Sequence, residues 1–192
     1  APAVWSYEFP HEGIQFADVV DANADPGEAI SQLEFTAPDG NKSTIADLAS
    51  GKNLVLVITR GSTGAICPYC STQVAQLIGN YAEFQKRDAE VVVVYPMLGL
   101  DGNPSLDAFL TATRQRLSDP ETKVPFPVLL DLELKAVDQL GIRRDLSKPA
   151  TYILDDRKQV RFAYVGSTLA DRPSIPSLLK QLDALSKATN GG

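Results

Sequence analysis

The residues best equipped for chemistry are Cys67 and Cys70, separated only by Pro68 and Tyr69. They are the only two cysteines of the chain. A thiolate is a nucleophile, and a second thiol one helical turn away can displace whatever the first has bound, closing a disulfide. The elements around the pair fit this use. An apolar run, Leu54 to Thr59, reads as a buried strand, and the loop Arg60 to Ile66 follows it. Val74, Leu77, Ile78, Tyr81 and Phe84 then recur at helical spacing. The order strand, loop, cysteines, helix places Cys67 at or near a helix N-terminus, where unpaired N–H groups and the helix dipole favour the charged thiolate. Cys67 is therefore expected to be the exposed, attacking thiol and Cys70 the resolving one. Pro68 suits the first helical position, where its missing N–H costs nothing.

Other uses of the pair rank lower. A purely structural disulfide across two intervening residues closes too small a loop to stabilise much. Half of a zinc site would need two further ligands, and His11 is the only histidine. Two inert core thiols are the third option. No cofactor and no metal are expected.

The 192 residues suit one domain with a substantial core, and 44% hydrophobic with 22% charged residues is ordinary for a globular protein. A formal charge of −6 without a basic cluster argues against a nucleic-acid partner, and the longest apolar runs are too short to span a bilayer. The chain starts Ala1-Pro2-Ala3-Val4 rather than with methionine. Removal of a signal peptide would account for this, and the expectation is a secreted or periplasmic location.

Along the chain, residues 1–31 read as an extension packed on the domain, residues 32–188 as the redox domain, and 189–192 as a fraying tail. Trp5, Tyr7, Phe9, Ile14 and Phe16 suggest short extended pieces, and Asp25-Pro26-Gly27 a turn. A strand is expected at 33–35, and a short helix capped by Ser43 or Thr44 before Ala49. The β-branched run Ala89–Tyr95 reads as a central strand stopped by Pro96. A helix opens at Asn103-Pro104, and a strand is expected at 126–130. A helix over 132–140 closes at Gly141. Ala150–Leu154 and Val160–Val165 form a hairpin, and Ser174 caps a last helix. Strands alternating with helices, then a hairpin and a closing helix, give an α/β chain with a mixed central sheet between helices on both faces, and a Cys-x-x-Cys between strand and helix in such a pattern reads as a thioredoxin-like redox motif.

Four segments in order resemble the peroxiredoxin-like branch of the alkyl hydroperoxide reductase / thiol-specific antioxidant (AhpC/TSA) group of the thioredoxin superfamily. They are Arg60-Gly61-Ser62 leading to Cys67-Pro68-Tyr69-Cys70 with Gln73 and Leu77; Phe126-Pro127-Val128-Leu129 with Asp131; Lys148-Pro149-Ala150-Thr151-Tyr152-Ile153-Leu154-Asp155; and Phe162-Ala163-Tyr164-Val165 with Asp171-Arg172-Pro173-Ser174. The resemblance implies a thioredoxin fold with an N-terminal extension, thiol redox activity, Cys67 at the start of the first long helix, and Pro149 facing the cysteines in cis. The family's proline and hydroxyl before the reactive cysteine are replaced by Arg60 and Gly64, with Ser62 or Thr63 as candidate substitutes. Pro149 takes the place of the family's arginine near the hairpin strand. Arg60 is a candidate cation beside the thiols, and Tyr69 is expected to face solvent or a partner.

These departures favour thiol–disulfide exchange with a disulfide-bearing protein or small-molecule oxidant, the pair being recycled by an external thiol donor. The alternative is a thiol peroxidase with Cys67 peroxidatic and Cys70 resolving. A non-enzymatic binding module on the same scaffold is a third reading.

Overall fold

The computed structural model describes residues 13–61, 65–99 and 102–191. Seven strands form one mixed sheet: β1 (Glu34–Thr36), β2 (Lys42–Thr44), β3 (Asn53–Ile58), β4 (Ala89–Met97), β5 (Val128–Leu132), β6 (Ala150–Leu154) and β7 (Val160–Val165). Their order across the sheet is β2-β1-β5-β4-β3-β6-β7. β3, β4 and β5 run parallel, and β6 pairs antiparallel with both β3 and β7. The helices are α1 (Pro68–Gly79), α2 (Tyr81–Gln85), α3 (Gly102–Arg114), α4 (Lys135–Leu140) and α5 (Ile175–Asn190).

The period of two along the strands divides the core between the two faces of the sheet. Val55, Val57, Val91, Val93 and Tyr95 pack with Val74 and Leu77 of α1, Phe109 of α3, and Leu178 and Leu182 of α5. Leu54, Leu56, Ile58, Val92 and Val94 face the other way, onto Ala136 and Val137 of α4 and onto Ile30, Ile45 and Leu48. With both faces covered, β3 and β4 have no polar side, which is why they read as unbroken apolar runs.

Several boundaries differ from the sequence reading. β4 continues through Pro96 to Met97. Its pairing with β3 ends at Ile58↔Val94, so the missing proline N–H falls where one neighbour has already ended. The helix after the cysteines breaks at Asn80, whose side chain joins its backbone N–H on the Gln76 carbonyl. The strand expected at 126–130 lies at Val128–Leu132, and the following helix starts only at Lys135. Glu133 and Leu134 turn left-handed there, and the buried Asp131 carboxylate accepts the Ala136 and Val137 N–H groups at 2.8 and 3.0 Å. The short helix after Thr44 is a single 3-10 turn, Ile45–Asp47. α5 continues through Asn190, into the stretch expected to fray.

Trp5, Tyr7, Phe9, His11, Ser62, Thr63 and Gly64 lie outside the described residues. Among those described, the N-terminal segment is tied down at two places. Ala17 donates its N–H to Arg172 O and accepts the Ser174 N–H, both at 2.9 Å. Asn23 donates to Ala163 O and Val165 O and accepts the Val165 N–H, closing the outer edge of β7.

Candidate active site

Both cysteines lie at the start of α1. Cys67 is its N-cap, with extended backbone (φ −74°, ψ 117°), and its sulfur accepts the Cys70 N–H at 3.4 Å. The sulfur thus takes the place that a serine or aspartate oxygen holds in an ordinary cap. Pro68 is the first helical residue, and its carbonyl accepts the Ser71 hydroxyl at 3.2 Å. Cys70, Gln73, Val74, Leu77 and Ile78 share the face of α1 turned into the protein, at the spacing of three and four that defines one helical stripe.

Burial of the two sulfurs is unequal. Cys67 keeps 7% of its surface and Cys70 only 1%. Cys70 Sγ accepts two N–H donors besides its neighbour: the backbone N–H of Arg60 at 3.4 Å and Arg172 Nη2 at 3.2 Å. Arg172 is itself 1% exposed. Its Nη1 donates to Gln73 Oε1 at 2.7 Å and its Nε to Leu169 O at 2.7 Å. No carboxylate pairs with it among the described residues. A guanidinium cannot shed its proton in a protein, so a buried one needs a counter-anion, and among the described residues the sulfur at its tip is the candidate it touches.

The loop that delivers Arg172 is built tightly. Asp171 accepts the Tyr164 hydroxyl at 2.6 Å and the Ser167 N–H and hydroxyl at 2.8 and 3.0 Å. A Cβ on Gly166 would stand 2.1 Å from Asp171 O. Ala17 holds the same loop from outside. Arg116 approaches from the end of α3, its Nε donating to Ser71 Oγ at 2.8 Å. Burial lowers its proton affinity, and its charge lies within reach of Cys67, where a thiolate would raise it again.

The electrostatics of the pair follow. Burial raises the Cys70 thiol, but the hydrogen bond from Cys67, the Arg172 charge and the Arg60 N–H together overcome it and bring Cys70 down to about 5. The hydrogen bond to Cys70, burial and the neighbouring charge push Cys67 up instead.

The AhpC/TSA family model matches residues 26–163, most of the chain, ending within β7. The chain belongs to the AhpC/TSA family. It is 24% identical over 130 residues to a peroxiredoxin of Aquifex aeolicus, covering 65% of this chain and 55% of that protein. It therefore spans little more than half the length of that relative. Its fold is similar to a mutant of peroxiredoxin 6 from Arenicola marina (TM-score 0.71, 16% identity, 87% of this chain and 76% of the other). It is also similar to Mycobacterium bovis AhpC (0.58, 23%, 77% and 76%) and Xanthomonas campestris peroxiredoxin Q (0.60, 18%, 86% and 99%). The mixed sheet expected from the order of elements and the thioredoxin-like fold implied by the resemblance are the observed ones.

Within this AhpC/TSA chain, the residues singled out from sequence do not all meet at the sulfurs in the expected way. Cys67 and Cys70 do come together, but Cys67 is buried rather than exposed, because the N-cap lies under the core cluster that includes Val55, Val74 and Ile175. Arg60 reaches the site through its backbone: its N–H meets Cys70 and its carbonyl accepts the Ser147 N–H at 3.1 Å. Tyr69 packs half-buried against the core rather than standing in solvent. Pro149 is buried beside the Arg172 loop, its carbonyl accepting the Gly166 N–H at 2.8 Å. No cis peptide bond occurs among the described residues, so the expected cis geometry of Pro149 is not found; trans is the intrinsically favoured isomer.

Arg172, Gln73 and Arg116 are the site residues without an assigned role in the sequence reading. Arg172 and Gln73 stood in the matched segments. The contact that gives Arg172 its meaning, to a sulfur 102 residues earlier, has no local signal. Among the described residues no cluster of potential ligands could hold a metal ion, and no helix is long and apolar enough to cross a membrane.

Proposed function

We propose that the chain is a thiol peroxidase. Cys67 reduces a small hydroperoxide and is oxidised to the sulfenic acid, Cys70 condenses with it to a disulfide, and an external thiol donor restores the pair. The observation that carries this reading is the burial of both sulfurs, 7% and 1% exposed, beside a guanidinium. A disulfide on another protein needs an open sulfur to align with, whereas a peroxide needs only a narrow approach. Family membership supports the same choice. Thiol–disulfide exchange with proteins, the favoured reading from sequence, ranks second on this ground.

Stopped-flow mixing of the reduced protein with hydrogen peroxide and an alkyl hydroperoxide tests the proposal. The expected result is consumption well above that of free cysteine, ending in a Cys67–Cys70 disulfide and lost in Cys67→Ser. Oxidation no faster than free cysteine, or faster turnover of a protein disulfide than of any hydroperoxide, rejects it.

A further inference from the structure

We propose that Arg116 is a positioning residue for the attacking sulfur: pinned from the end of α3 onto the first turn of α1, its guanidinium draws negative charge onto Cys67. The inference rests on the peroxidase reading for the chemical step it serves. Its electrostatic part stands without that reading.

Cys67 has to be a thiolate when it attacks. Arg172 serves the other sulfur first: its Nη2, Nη1 and Nε donate to Cys70 Sγ, Gln73 Oε1 and Leu169 O. Arg116 comes from a different element. Its backbone N–H closes a turn onto Thr113 O at 3.1 Å, and its neighbour Leu117 packs on the core, so the residue is fixed at its base. Its tip is fixed as well, because Nε donates to Ser71 Oγ at 2.8 Å. Ser71 belongs to the turn that presents Cys67. The Ser71 N–H meets Cys67 O at 3.1 Å, and the Ser71 hydroxyl meets Pro68 O at 3.2 Å. Positions four apart on a helix are neighbours, with about 5–6 Å between their Cβ atoms. The guanidinium therefore keeps a set distance from Cys67. Ser71 is wholly buried and Arg116 half-buried, so water screens the charge only weakly there. A thiolate at Cys67 would tighten the hold of Arg116 on its proton, which is the same coupling felt from the other end.

Among the described residues, the other ionisable groups that act on Cys67 are Cys70 on α1 and Arg172 from the 166–173 loop. Near Arg116, Arg114 donates to the Thr111 hydroxyl at 3.5 Å, and the Asp119 carboxylate accepts the Glu121 N–H at 3.0 Å.

The step served is the first one. Cys67 Sγ attacks the terminal oxygen of the hydroperoxide; the S–O bond forms and the O–O bond breaks. The hydrogen stays on the transferred oxygen, and the departing alkoxide takes a proton from water. Cys67 is oxidised by two electrons to the sulfenic acid and the peroxide is reduced. Since the sulfenic acid is neutral, Arg116 acts through the amount of thiolate present. It does not speed the thiolate once formed, because nucleophilicity falls slightly as a thiol pKa falls. Removing its charge should move the pH dependence and spare the plateau.

The test uses the full chain with Cys70→Ser, in which Cys67 is the remaining cysteine. Thiolate absorbance at 240 nm and the rate of sulfenic acid formation with hydrogen peroxide are followed against pH, with Arg116 intact, Arg116→Gln or Arg116→Lys. Loss of a nearby opposite charge raises a thiol by about one pH unit, so both midpoints should rise by that much in Arg116→Gln. Below the midpoint the rate should fall about tenfold, and the high-pH plateau should be kept. Arg116→Lys should recover part of the shift. Should Arg116→Gln fail to fold, Ser71→Ala loosens the guanidinium while keeping its charge, and a smaller rise is expected. A midpoint that stays in place in Arg116→Gln, or in Ser71→Ala where it stands in, overturns the proposal, as does a Lys variant shifted as far as the Gln variant. A lowered plateau with an unmoved midpoint marks Arg116 as a packing residue. If no form reacts with hydrogen peroxide, the peroxidase reading falls while the absorbance titration still decides the hold of Arg116 on Cys67.

Discussion

Replacing Arg172 with methionine keeps much of the buried volume and removes only the charge and its donors. Two consequences separate cleanly. The bonds to Gln73 and Leu169 are lost at every pH. The stabilisation of the Cys70 thiolate is lost only where that thiolate exists. Cys70 is lowered to about 5 in the folded protein and returns to about 8.5 on unfolding. Between these values the folded state binds one proton fewer than the unfolded chain, so stability climbs with pH by about 1.4 kcal/mol per unit. This contribution is complete above the unfolded value and is lost as pH falls through 5. Its full size is about 3–5 kcal/mol, the range found for breaking a buried charge pair. In Arg172→Met the hydrogen bonds from Cys67 and the Arg60 N–H remain, so Cys70 moves up and the climb shrinks and shifts to higher pH. Urea denaturation under reducing conditions at pH 5 and pH 8 measures the effect. The variant should trail the wild type by about 1–3 kcal/mol more at pH 8 than at pH 5. Staying at or below pH 8 avoids the opposite effect of Cys67, whose raised value costs stability once the unfolded thiol ionises. An equal deficit at the two pH values would show that Arg172 is a packing residue with no thiolate to hold.

Further outcomes follow from the same contacts. Gly61 has φ +86°, and a Cβ there would stand 2.2 Å from Pro96 O. Gly61→Ala should cost about 2–3 kcal/mol in denaturant and, by shifting the Arg60 N–H, raise the Cys70 midpoint seen by thiolate absorbance at 240 nm. Asp131→Ala removes the acceptor for two buried N–H groups at the start of α4 and should lower stability by about 2 kcal/mol while leaving the thiolate titration unchanged. Tyr164→Phe deletes the 2.6 Å bond to Asp171 and should cost about 1 kcal/mol, with faster amide exchange confined mainly to the 166–172 loop.

What could be read from the sequence was local or periodic. The unbroken apolar runs of β3 and β4 follow from burial on both faces, and the helical spacing after Cys67 from one buried stripe. The cap role of Ser174, which accepts the Ser177 N–H, depends on neighbours three residues away. Boundaries failed where the deciding group lay elsewhere: the Asp131 carboxylate delays α4, and the end of the β3 partner lets β4 run through Pro96.

The two cysteines, their spacing and their place at a helix start were determined by the sequence alone, because a strand, a loop and a helix adjoin in the chain. What surrounds each sulfur was decided only by the tertiary structure. Desolvation and charge pairing depend on distance through space, and the guanidinium beside Cys70 reaches it from the far end of the β6–β7 hairpin. The same folding that buries Cys70 brings that cation to it, and neither fact has a signature within a few residues of either partner.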